Sequence, residues 1–220
     1  MIVGVILAAG LGSRFGGDKL LHPLPNQKSA VNNAQADTQT HLAMGLQSAL
    51  NLAPYVDEVV CVVRPEDKVL TELFTQHGFK ACVSEDYQKG LSASFMAGVK
   101  ASDQASMWWI ALGDMPFIQE TSYHAIQQQA LLQAQKPESD QKIVRPYSIT
   151  AASPKPGHPV VFPKRLKAQL LNLKGDEGAK AILKSERDEV QQVLLKDKGI
   201  HLDIDELSDL KDLCSHRPVN

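Results

Sequence analysis

The segment Val3–Leu7 is apolar at every position and runs without a break into Ala8-Ala9-Gly10-Leu11-Gly12-Ser13-Arg14-Phe15-Gly16-Gly17-Asp18-Lys19. A strand with no polar face must be covered on both sides, which is the condition of a central strand in a parallel α/β sheet. The turn that follows exposes backbone N–H groups at the C-terminal edge of that sheet. Its small residues let a ligand approach the backbone closely. Arg14 and Lys19 bring two cations to the same turn. Donors plus two cations suit a triphosphate. Two familiar phosphate loops do not fit. A Walker A loop needs Gly-Lys followed by Ser or Thr, whereas Lys19 follows Asp18 and precedes Leu20. A dinucleotide fingerprint counted from Gly10 needs glycine where Phe15 stands.

The rest of the chain alternates in the same way. Glu58–Val63, Lys80–Val83 and Met107–Leu112 read as strands. The helical spacing of Thr38, Leu42, Leu46, Ala49, Leu50 and Ala53 predicts a helix, and Val69 to His77 another. A third helix is expected from near Ser92, and a fourth along Tyr123, Ile126, Ala130 and Ala134. Buried strands separated by helices predict a three-layer α/β/α sandwich with a mostly parallel, Rossmann-like sheet. After Pro137 the rhythm changes. Ile143–Tyr147 and Pro159–Phe162 are predicted strands around a proline-rich loop. Short helices are expected near Arg165–Leu171 and Gly178–Ser185. Val190–Leu195 and Ile200–Ile204 are predicted strands, and Glu206–Cys214 a closing helix. The polar stretch Asn26–Gln39 reads as a loop running into a helix.

A length of 220 residues suits one domain, taken as 1–220. The formal net charge of −2 gives no basic excess for a nucleic-acid footprint. No apolar run is long enough to span a membrane. The apolar start lacks a basic flank, so a strand is expected there rather than a signal peptide. Cys61, Cys82 and Cys214 are an odd, scattered set, which points to free thiols in the cytoplasm.

Met107–Leu112 leads into Gly113-Asp114-Met115-Pro116. Open α/β sheets bind ligands outside the strand C-termini, so Asp114 is placed to hold Mg²⁺ against a triphosphate. Asp203-Ile204-Asp205 is a second acidic pair, with an ordinary helix cap by Asp205 as its rival reading. Gly90-Leu91-Ser92-Ala93-Ser94 sits between a strand and a helix, where small hydroxyl residues can meet an anion or a base edge. Pro156-Gly157-His158-Pro159 and Gly175-Asp176-Glu177-Gly178 mark two later loops.

These stretches together resemble the MobA-like NTP transferases, and within them the molybdenum-cofactor cytidylyltransferase group. The resemblance rests on Leu7-Ala8-Ala9-Gly10, Ser13-Arg14-Phe15-Gly16, Lys19, Gly113-Asp114-Met115-Pro116, Gly90-Leu91-Ser92-Ala93-Ser94, Gly157-His158-Pro159 and Gly175–Ala179, nearly the full chain. It is weakest over Asn26–Gln39, where members often carry Gly-Lys-Pro-Leu. It implies the nucleotide-diphospho-sugar transferase fold and a transfer of CMP from CTP to molybdopterin carrying molybdenum. By the same resemblance Leu7, Ala8, Ala9, Gly10, Gly12, Ser13, Arg14 and Lys19 hold the nucleotide, with Gly90, Ser92 and Ser94 beside its base. Asp114 binds the metal, Asp203 is favoured as its second ligand, and His158 lies near the acceptor. Arg14, Lys19 and Asp114 are the expected catalytic set. A client molybdoenzyme is a further expected partner. The alternatives are a relative acting on another phosphorylated acceptor, and a non-catalytic carrier of a pterin cofactor.

Overall fold

The structure, a computed structural model, describes residues 1–12, 14–24, 42–150 and 153–210. The first half repeats strand and helix. β1 (Ile2–Leu7) leads through the glycine loop to α1 (Met44–Leu52). β2 (Glu58–Val63), α2 (Lys68–Gln76), β3 (Lys80–Val83), α3 (Leu91–Ala101), β4 (Met107–Leu112) and α4 (Glu120–Ala134) follow. The second half is β5 (Ile143–Ser148), β6 (Lys155–Pro156), β7 (Val160–Pro163), α5 (Lys167–Leu170), α6 (Lys180–Ser185) and β8 (Val190–Leu195).

The strands form one sheet in the order β3-β2-β1-β4-β7-β5-β6, with β8 on the outer side of β5. β1, β2, β3 and β4 are parallel. β7 runs antiparallel between β4 and β5, which returns β5 and β8 to the common direction. The chain steps outward from β1 to β3 and then jumps back to β4 on the other side of β1. That reversal opens a crevice at the C-terminal ends of β1 and β4, where open α/β sheets bind their ligands.

Helices cover both faces. On one side Leu46, Ala49, Leu52, Leu70, Phe74, Tyr123 and Ile126 pack with Ile6, Cys61 and Trp109. On the other Phe95, Val99, Leu170 and Ile182 pack with Val3, Val5, Val60 and Trp108. Alternate residues of β1 and β4 therefore feed opposite cores, which is why both strands read as unbroken apolar runs.

Two expectations require correction. Ile200–Ile204 is not a strand. It is a 3₁₀ turn at Gly199–His201 followed by unpaired chain. Its backbone bonds go to two different segments, His158 N donating to Ile200 O at 2.6 Å and Ile204 N to Asp114 O at 3.0 Å, so no ladder can form. The helix expected from Glu206 begins at Leu207; its last four predicted residues, with Cys214, lie outside the described residues. So do Ser13 and the whole of the Asn26–Gln39 segment with the expected helix start at Thr38. The helix there is described from Met44.

Candidate functional site

β1 ends at Leu7, and the edge of the crevice is tied by Ala8 N to Val62 O at 2.9 Å and Gly113 N to Leu7 O at 3.0 Å. The loop then turns back at Gly12, whose φ of +55° suits glycine and whose carbonyl accepts from Phe15 N at 2.9 Å. Phe15, the residue that spoils the dinucleotide fingerprint, is buried against Leu24, Met44, Ile204 and Leu210. It anchors the loop from beneath. A 3₁₀ turn at Lys19–Leu21 follows and leaves Lys19 only 8% exposed in the crevice.

The Lys19 ammonium stands between two carboxylates. Its Nζ donates to Asp114 Oδ2 at 2.8 Å and to Asp205 Oδ1 at 3.1 Å, while Arg14 NH1 reaches Asp205 Oδ2 at 2.9 Å. Burial alone would lower the Lys19 pKa, but the nearby charges of Asp114 and Asp205 outweigh it and hold the ammonium above its ordinary value. Burial pushes the Asp114 carboxyl up, and Lys19 opposes that shift. Asp114 Oδ1 is buried with no hydrogen-bond partner among the described residues. A free carboxylate oxygen at that point fits a divalent cation, and no cluster of three or more His, Cys, Asp or Glu stands among the described residues. One or two carboxylates with phosphate and water completing the shell is the pattern Mg²⁺ prefers.

Asp205 does not cap the following helix with its side chain. Asp209 does that work in reverse, its Oδ2 accepting from Asp205 N and Glu206 N at 2.8 Å each. The Asp205 carboxylate is thereby left to the two cations. Asp203 is exposed and within electrostatic range of Asp114 and His158, and it forms no ion pair among the described residues. The geometry thus draws Asp205, more than the favoured Asp203, into the charged cluster.

The cluster lines a cavity of about 300 Å³ together with Leu7, Ala8, Gly10 and Gly12. Its wall on the β2 side includes Arg64, which forks onto Asp67 at 2.7 and 2.6 Å. Arg64 was not singled out from the sequence. The usable signal was its position directly after a buried strand, the same rule that picks out Asp114.

Gly90, Ser92, Ser94 and His158 do not line this cavity. Gly90 precedes α3 at φ +103°, and a side chain there would collide with the Asp176 carboxylate and the Gly175 backbone. Ser92 N donates to Gly175 O at 3.2 Å. Two stretches far apart in sequence, Gly90–Ser94 and Gly175–Gly178, are therefore one packed unit. Ser92 is buried with no partner for its Oγ among the described residues, and Ser94 Oγ lies 3.4 Å from Ser84 Oγ. Ala9 is buried beneath the loop. Burial lowers the His158 pKa to about 4, with Arg145 adding to the effect, so the imidazole is neutral at pH 7. Its Nδ1 is buried without a described partner.

Residues 4–191 match the family model of the MobA-like NTP transferase domain. No curated protein matches the sequence. Among solved structures, Rv0371c from Mycobacterium tuberculosis H37Rv superposes with a TM-score of 0.75 at 21% identity, covering 99% of this chain and 100% of that one. The same mycobacterial protein in complex with manganese gives 0.70 at 20% identity, over 98% and 99% of the two chains. A nucleotidyl transferase from Methanothermobacter gives 0.71 at 20% identity, over 98% and 97%. The fold is the α/β nucleotide-diphospho-sugar transferase type. No helix among the described residues is long and apolar enough to cross a membrane.

Proposed function

This chain belongs to the MobA-like NTP transferase family, and we propose that it transfers CMP from CTP to a molybdopterin-type molybdenum cofactor, yielding molybdopterin cytosine dinucleotide and pyrophosphate. The observation that carries this reading is the Lys19–Asp114–Asp205–Arg14 cluster beneath a glycine loop at the sheet's reversal point. A phosphate oxygen of the acceptor attacks the α-phosphorus, the bond to the β-phosphate oxygen breaks, and pyrophosphate leaves. The protein has little covalent work to do. It must align the reactants and neutralise the charge that gathers on the leaving group.

Backbone donors of Ala8–Gly12 bind the phosphate chain. Lys19 and Arg14 turn from their carboxylates to the β- and γ-phosphates and take up the developing charge. Asp114, through its Oδ1, which has no partner among the described residues, would hold Mg²⁺, with Asp205 or Asp203 as the second carboxylate. The ion, when bound, neutralises phosphate charge and fixes geometry. The manganese complex of a structural relative is in keeping with a divalent ion in this fold. No residue need act as general base, since a phosphate monoester is already anionic near neutral pH.

The preference for CTP rests on two features. Ala9 stands where guanylyl-transferring relatives tend to carry glycine, which by the resemblance favours the smaller pyrimidine. Ser92 and Ser94, which by the resemblance lie beside the base, would pair with the O2 and N4 edge of cytosine. The reading further places the chain in the cytoplasm, as one nucleotidyltransferase domain serving a client molybdoenzyme.

The test is a one-pot competition of CTP and GTP with Mg²⁺ and purified molybdenum cofactor, measuring pyrophosphate and the dinucleotide formed. Two unpaired groups in the wrong complex give a CTP preference of at least roughly 30-fold. Equal incorporation sinks the base assignment. Absence of pyrophosphate with every NTP returns the chain to a non-catalytic carrier. Pyrophosphate release only with a different phosphorylated acceptor overturns the acceptor.

A further inference from the structure

On the face of the sheet that carries α3, α5 and α6, the apolar rows change character toward the crevice edge. β5 sets Ile143 into the core of that face, and strand periodicity puts Arg145 and Tyr147 on the same side. Val160 of β7 belongs to the same core, and His158 precedes it by two residues. The strands are joined here by Gly157 N to Pro146 O at 2.8 Å. His158, one strand out from β4 beside β7, thus meets Arg145 and Tyr147 at the same corner, with β5 two strands out. At about 4.8 Å per strand this is about 10 Å from the β4 axis. The phosphate-loop cavity does not include them.

Arg145 is the feature that calls for a ligand. Its guanidinium carbon stands 5.9 Å from the centroid of the Tyr147 ring and it donates a hydrogen bond to the Tyr147 side chain, while its Nε is buried with no acceptor among the described residues. It forms no ion pair among the described residues. The other half-buried arginines do: Arg64 forks onto Asp67, and Arg165 reaches Glu186 at 2.7 Å. Asp203 comes near His158 yet forms no ion pair with Arg145. A guanidinium withdrawn from water without a carboxylate is costly to the fold, and such a cost is retained where a ligand supplies the missing anion.

We propose that Arg145, held over Tyr147 beside His158, is the anion anchor of the second substrate and binds a phosphate-class oxyanion of the acceptor. This rests on the nucleotidyl-transfer reading for what the acceptor does, but not on the acceptor's name. The triphosphate has Lys19, Arg14 and the loop backbone on the β1 side. The oxyanion held there is the acceptor's attacking phosphate, kept on the β7 side of the crevice and opposite the triphosphate. The planar fork of Arg145 matches two oxygens of one phosphate, which a lysine at the same place would not.

The experiment titrates inorganic phosphate by calorimetry into protein saturated with Mg²⁺ and the non-hydrolysable α,β-methylene analogue of CTP. The wild type is expected to take up one further phosphate. Arg145→Met should weaken that binding about 10- to 100-fold, with Arg145→Lys in between, while both keep wild-type affinity for the analogue, which also certifies their fold. Equal phosphate binding in Arg145→Met, or no further phosphate in the wild type, overturns the anchor. In transfer assays with molybdenum cofactor the same variants should raise the acceptor KM and leave that for CTP unchanged. Should the wild type bind phosphate through Arg145 yet transfer nothing to this cofactor, the anchor stands and the acceptor identity falls.

Discussion

Lys19 and Arg14 carry the same charge to the same carboxylate and differ in burial, which sets their expected weights. Lys19 has 9% of its side chain exposed and Arg14 72%. A contact in the buried position is little screened, whereas one at the surface is screened by salt. Lys19→Ala should therefore lower kcat/KM toward the upper end of about 10- to 150-fold, and Arg14→Ala toward the lower end. The Arg14 effect alone should shrink between low and high ionic strength; equal effects at all salt concentrations would contradict the burial argument. Asp114→Asn is nearly isosteric and should keep the fold while losing most turnover across a Mg²⁺ titration. His158 gives a pH signature. In the unfolded chain an imidazole takes its proton near pH 6.5, and in the fold only at about 4. Between those values the unfolded state binds more protons, so stability falls as pH drops through the window. Below it the full cost is present, on the order of 3 kcal/mol at most. Urea midpoints at pH 7 and pH 4.5 should separate less in His158→Gln than in the wild type. An unchanged separation would show that the imidazole is not held neutral.

At the scale of elements, α4 has no cap of its own at Gln119. The cap comes from the far end of β8. Asp197, 3% exposed, accepts from Gln119 N at 2.9 Å, Ser122 Oγ at 2.7 Å and Gly199 N at 2.7 Å. A carboxylate at a helix N-terminus also meets the favourable end of the helix dipole. Asp197→Ala leaves those buried donors without an acceptor and should cost about 2–4 kcal/mol. Asp197→Asn should recover part of it, and urea unfolding measures both. A loss under 1 kcal/mol in the alanine variant would mean that water replaces the carboxylate. The same kind of long-range pairing explains why Ile200–Ile204 misleads at the level of sequence. Its apolar alternation is real, and Ile200 and Ile204 are fully buried. Alternation reports which side chains are buried, whereas a strand also needs a continuous backbone partner, and here the partners are two separate loops.

At the scale of the molecule, the glycine loop is held by residues almost 200 positions away. Phe15 lies in one apolar cluster with Leu24, Met44, Ile204 and Leu210, while Asp205 grips Lys19 and Arg14 from above. Ile204→Ala opens a cavity beneath the loop and should cost about 2–5 kcal/mol in urea unfolding. Because Asp205 is its neighbour, the same change should also weaken CTP binding several-fold when measured well below the thermal transition. A destabilised variant with wild-type nucleotide affinity would show that the segment supports the fold without setting the loop.

The sequence by itself determined the alternating α/β plan, the central place of β1 and β4, and the placing of Lys19 and Asp114 at one edge of the sheet, because unbroken apolar runs must be covered on both faces and the turns that follow must emerge at the same edge. It also marked the second half as different, after Pro137. What it left open was decided by contacts between distant segments. The antiparallel insertion of β7, the packing of Gly90 against Gly175–Asp176, the drawing of Asp205 into the cation cluster and the lack of a carboxylate partner for Arg145 among the described residues each depend on which backbone lies alongside which. A local pattern records whether a side chain is withdrawn from water. Only the tertiary arrangement determines which partner, if any, it meets there.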